Sequence, residues 1–160
     1  MSISLDIVPT VPRLLTPAEL ANEWSAGFPD AELTIRRIRP GGLDRLPTEV
    51  PLALGGYYAL EWSDGVDSGL SIYSNVAMGC DEEGEIAEFG DPSHHAHLIA
   101  TWRAIGHTYT LTLSGGYGAP SIRRMEQVAG VISHLVKGYV LVLDSWYSRP
   151  RGLYAPDTFP

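Results

Sequence analysis

Polar and apolar positions change period several times along the chain, and each change marks an element. Thr16-Pro17-Ala18-Glu19 has the spacing of a capping box. The threonine hydroxyl meets the N3 amide, Glu19 reaches back, and Pro17 stands at the first helical position, where a missing N–H costs nothing. Leu20 and Trp24, four apart, share one face of a short helix over 16–27 that Gly27 and Pro29 bring to an end. The stretch from Glu32 to Ile38 favours strand, and Pro40-Gly41-Gly42 is a turn. Leu52 to Trp62 and Leu70 to Val76 are rich in aromatic and β-branched residues. They flank Ser63-Asp64-Gly65-Val66-Asp67, which predicts a hairpin.

In the second half, Asp91-Pro92-Ser93 opens a helix over 94–105 with Ser93 at its N-cap. Leu98, Ile99, Trp102 and Ile105 recur at helical spacing, and Gly106 follows as a cap. Thr108 to Leu113 alternates with the period of a half-buried strand. After the turn Ser114-Gly115-Gly116-Tyr117-Gly118, a helix from Pro120 to Val136 carries an apolar stripe through Met125, Val128, Ala129 and Ile132, and Gly138 closes it. Tyr139 to Leu143 is apolar at every position, as a strand covered on both faces would be. The tail beyond Asp144 is aromatic and predicts a cover over a sheet edge. Together these elements predict an α+β fold in one domain spanning 1–160. Its single sheet has about five strands, largely antiparallel, starting as a meander and ending in a helix-connected pair, with two main helices packed on one face.

Charge changes the picture of partners. With 11 basic and 19 acidic residues among 160, the formal charge is −8 with neutral histidines, which excludes a general nucleic-acid binder. Residues 1–100 hold all but three of the acids against five arginines, so the acidic surface is expected there. No run of about 18 apolar residues occurs, so no membrane span is expected. Lone Cys80 has no internal disulfide partner, and Met1 to Thr10 lacks the basic and apolar regions of a secretory leader, which points to the cytoplasm.

Candidate chemistry is sparse. His94, His95 and His97 are a local oddity, but zinc helices pair histidines four apart and these two outer ones are three apart. The acidic run Asp81-Glu82-Glu83-Gly84-Glu85 lacks EF-hand spacing. Ser114-Gly115-Gly116-Tyr117-Gly118 lies between strand and helix, where amides can cradle an anion, yet it is neither G-x-G-x-x-G nor a Walker loop. No serine stands in G-x-S-x-G, and Cys80 reads as a small apolar residue rather than a nucleophile.

The last 50 residues run from the apolar helix through Val128-Ala129, Ile132 and Leu135 to Gly138, the strand ending at Asp144, and the aromatic tail through Tyr154 and Asp157. This third of the chain resembles the C-terminal parts of some bacterial immunity proteins. The resemblance implies a small cytosolic α+β protein that occludes a toxin, with no catalytic residue and no cofactor. The expected partner is a cognate, basic toxin. The expected contacts are the acidic loop with Asp81, Glu82, Glu83, Glu85 and Glu88, the neighbouring Glu61, Asp64 and Asp67, and the aromatic Trp146 and Tyr147. The alternative is a small enzyme or ligand-binding domain that uses the histidine cluster for a metal or the glycine loop for an anion.

Overall fold

A computed structural model describes residues 2–65, 69–75, 80–89, 92–115, 118–143 and 149–159. Its strands are β1 (Ser2–Val8), β2 (Leu33–Arg39), β3 (Gly42–Arg45), β4 (Tyr57–Trp62), β5 (Leu70–Asn75), β6 (Thr108–Ser114), β7 (Tyr139–Val142) and β8 (Gly152–Tyr154). The helices are α1 (Pro17–Gly27), α2 (Cys80–Ala87), α3 (Pro92–Ile105) and α4 (Ala119–Val136). All eight strands form one antiparallel sheet in the order β3-β2-β4-β5-β6-β1-β7-β8.

The α+β class agrees with the sequence reading, but the expected five strands are corrected to eight. The three additional strands are β1, β3 and β8. In β1, Ile3, Leu5 and Ile7 are buried while Ser4 and Asp6 alternate with them, the period-2 pattern of a strand packed on one face. This strand lies between β6 and β7, so the helix-connected pair is not adjacent. Pro40 and Gly41 turn β2 into β3, with Arg39 opposite Gly42. Gly41 has φ +91°, which glycine takes without strain. β8 extends the sheet beyond β7, so the tail covers an edge by joining it.

The helices are also distributed differently. α1 and α4 pack on one face through Leu20, Trp24, Met125, Val128, Ala129 and Ile132, over Leu5 and Ile7, Leu33 and Ile35, and Leu111 and Leu113. A second cluster, Val8, Ile86, Leu98, Trp102 and Leu141, lies under α2 and α3 on the opposite face. The two long helices therefore sandwich β1 and β7 instead of sharing a face. β7 is buried on both sides, which explains its unbroken apolar run. The capping box at α1 is present: Glu19 N–H donates to Thr16 Oγ1 at 3.1 Å, and Thr16 N–H donates to Glu19 Oε2 at 3.0 Å. At the end of α4, Lys137 takes the left-handed cap and Gly138 lies against β1.

Candidate functional site

The second sheet face is covered by α2 and α3 only near β1 and β7. Over β2, β4, β5 and β6 it presents Thr34, Arg36, Ile38, Tyr57, Ala59, Glu61, Ser71, Tyr73, Thr110 and Thr112, none of them buried. Most of these are polar, as a solvated face requires. One cross-strand row departs from that rule.

The row runs Leu43–Ile38–Tyr57–Tyr73. Leu43 pairs with Ile38, and Tyr57 pairs with Tyr73. Ile38 lies one register step beyond the Arg37–Tyr58 pairing, beside Tyr57. Leu43, Ile38 and Tyr57 are 45%, 38% and 47% exposed. The Tyr57 and Tyr73 rings stack with centroids 4.4 Å apart and planes inclined by 23°, so the phenol pair is held in place before any partner arrives. Beyond Tyr73 the row continues into Thr110 and Asp6, whose side chains are hydrogen-bonded at 2.6 Å. Large apolar side chains assembled on an exposed face, next to arginine and tyrosine, have the composition of an interaction surface. β2 and β4 are legible as strands in the sequence, but the row needs three registers and the four-residue strand β3, which is too short for its own signal.

Among the described side chains, the acidic residues expected to form one contact face are separated, and each lies against a partner within the chain. Glu61 Oε2 lies 3.0 Å from Arg36 Nε on the open face. Asp64 accepts from Arg124 at 2.7 Å, at the far end of β4. Glu83 takes both bonds of an Arg103 fork, with 2.7 Å to Nε and 2.6 Å to Nη2, joining α2 to α3. Glu88 lies 3.9 Å from Arg151, and Glu85 is engaged as well. Asp81 and Glu82 fall in α2, so the expected acidic loop is largely a helix; their side chains are outside what the structure describes. Asp67, Trp146 and Tyr147 lie outside the described residues. Glu61 and the α2 acids also belong to opposite ends of the sheet, since β4 and β7 are four strand positions apart, roughly 19 Å at the usual inter-strand spacing.

The histidines do not converge. His95 is buried among the α3 core residues, with Nδ1 unpartnered. His94 Nε2 lies 3.0 Å from the Tyr139 hydroxyl, and His97 is exposed. Among the described residues no group of three or more His, Cys, Asp or Glu side chains could hold a metal. Two residues of the glycine loop, 116 and 117, are outside the described set, and nearby Arg124 is committed to Asp64. His107 is buried, and desolvation holds its pKa below the ordinary value against the opposing backbone at Ile105 and Arg13. Tyr109 is buried too. Desolvation raises its phenol pKa, and the hydroxyl accepts from Leu15 N–H at 3.1 Å. Both side chains are enclosed by the protein. No helix among the described residues is long and apolar enough to cross a membrane.

Comparison of the chain with family models, curated proteins and solved structures finds no match.

Proposed function

We propose that this chain is a non-enzymatic protein-binding domain of the immunity type, an inhibitor that occludes a toxin in the cytoplasm. The row Leu43–Ile38–Tyr57–Tyr73 carries the binding reading: preordered aromatics and exposed aliphatics on an open sheet face lower the entropy cost of docking. The immunity form rests on the resemblance of the last 50 residues. The net charge of −8 favours a basic partner by speeding long-range encounter, while the apolar row provides the seat. Scattered acids engaged with internal arginines suit that division, because steering depends on net charge and needs no contact acid.

The test starts from the tagged chain and the double variant Ile38→Glu/Tyr57→Ala, each used to capture partners from cells of the natural host. A protein retained by the first and lost from the second is then expressed alone. The expected result is growth arrest that co-expression of this chain relieves and the variant does not. A captured protein that is harmless alone would overturn the immunity form. Equal capture by both chains would overturn the row as the seat.

A further inference from the structure

Four of the five arginines in residues 1–100 fall between positions 36 and 45, folded back on one another by the β2–β3 turn. Arg36 is paired with Glu61 and Arg39 with Asp44, so Arg37 and Arg45 make this corner positive in a chain whose net charge is −8. Arg37, Arg39 and Arg45 line one cavity of about 220 Å³. Asp44 Oδ2 binds Arg39 Nε at 2.6 Å. The side chains of Arg37 and Arg45 make no hydrogen bond or ion pair among the described residues.

The opposite wall is apolar and fixed. It is formed by Leu46, Pro47, Val50, Pro51, Leu52 and Ala53, while Thr48 and Glu49 of the same segment are not part of the lining. Thr48 C=O accepts from Ala18 N–H at 2.9 Å, and Leu52 N–H donates to Leu15 C=O at 2.8 Å. Ala53 N–H donates to the Tyr58 hydroxyl at 2.6 Å, and Tyr58 is the cross-strand neighbour of Arg37. Gly56 lets that phenol close in: a Cβ there would lie 2.7 Å from its oxygen.

We infer that this cavity is a binding site for a small oxyanion, a carboxylate or a phosphate monoester with a compact organic body. Guanidiniums brought together without enough carboxylate repel one another, and a planar fork of N–H donors matches an oxyanion bidentately. The cavity is smaller than the ~300–1,000 Å³ of drug-sized sites, which excludes a whole nucleotide. Its apolar wall accepts the body while Arg37 and Arg45 take the charged end. Asp44 competes for Arg39 and so limits affinity. Arg37, Arg39 and Asp44 belong to the sheet face opposite the protein-binding row, and Arg45, the register partner of Arg36, joins the cavity from the end of β3.

The experiment is ¹H–¹⁵N titration of the full chain with inorganic phosphate and, separately, with succinate, at ionic strength matched by sodium chloride. Saturable shifts of the Arg37 and Arg45 side-chain N–H signals and of residues 46–53 are expected with at least one of the two, and which one responds identifies the oxyanion. Arg37→Gln and Arg45→Gln should each weaken binding roughly tenfold or more, as loss of charge-assisted hydrogen bonds does. Asp44→Asn should tighten it by freeing Arg39, an effect that a purely structural role for the arginines would not produce. Shifts no larger than those from sodium chloride, or shifts that persist in both arginine variants, would overturn the site.

Discussion

Arg124 reaches from α4 across the end of β4 to Asp64, with Nη2 2.7 Å from Oδ2 and its guanidinium lying against two indoles that meet edge to face, 5.2 Å from the Trp24 ring and 4.9 Å from Trp62. The arginine side chain is only 12% exposed, so the pair is partly desolvated and stronger than a surface ion pair. It joins α1, β4 and α4 at one corner of the main core.

Replacing Arg124 by Ala removes the charged hydrogen bond and both cation–π contacts and leaves Asp64 without that partner. A loss of about 2–3 kcal/mol is expected in urea unfolding, with m unchanged. Arg124→Lys keeps the charge but not the flat, stacking surface, and should recover less than half of it. Full recovery by lysine would show that the indoles contribute nothing.

Gly138 tests the position of β1. A Cβ at 138 would stand 2.7 Å from Ile7 Cγ2 and 3.1 Å from Val8 O, so the N-terminal strand would have to shift. Gly138→Ala should cost roughly 1–3 kcal/mol by overpacking. Gly27, at the end of α1, has nothing within 4 Å of its built Cβ, so Gly27→Ala should be neutral or stabilising by up to ~1 kcal/mol. Opposite signs in parallel denaturant titrations are the expected outcome; equal effects would remove the close approach as the cause.

The apolar row should contribute to recognition and hardly to folding. Ile38→Lys and Leu43→Lys change side chains that are more than one-third exposed, and each should leave stability within about 0.5 kcal/mol of the parent. Tyr57→Ala also removes the stacking with Tyr73 and should cost about 0.5–1.5 kcal/mol. If the lysine variants melt far below the parent, the row belongs to the core and the proposed seat fails.

These relationships also show where sequence was informative. The capping box was readable because Thr16, Pro17 and Glu19 interact within one turn, and the buried β7 was readable because an unbroken apolar run fits a strand covered on both faces. β1 shows clean alternation at Ile3, Leu5 and Ile7, yet nothing local tells a strand that its partners lie more than 100 residues away at β6 and β7. β3 spans four exposed residues and β8 three half-buried ones, too short for any period to register. Charge suffered most. Pooled over residues 1–100 it predicts an acidic face, whereas folding gathers Arg36, Arg37, Arg39 and Arg45 in one hairpin and ties Glu61, Asp64, Glu83 and Glu88 to arginines from other elements.

Acid should destabilise the chain in two separable windows. His107 is 4% exposed and its pKa is held below the ordinary 6.5, chiefly by desolvation. Above that value both folded and unfolded states carry a neutral ring, and stability is complete. As pH falls below 6.5 the unfolded chain takes the proton and the folded one resists it, so stability declines until the folded pKa is reached, by at most ~1.4 kcal/mol per pH unit for one group. Glu19 acts lower. Its hydrogen bond from Arg13 holds its pKa beneath the ordinary 4.5, so its stabilisation is present above 4.5 and is lost as pH falls through the folded value. Urea unfolding of the parent and of His107→Gln between pH 7.5 and 5.0 should show a smaller pH slope in the variant, whatever its absolute stability. Glu19→Gln should leave that slope alone and flatten the one below pH 4.5. Parallel curves for parent and His107→Gln across the upper window would mean that the buried ring takes its proton without unfolding.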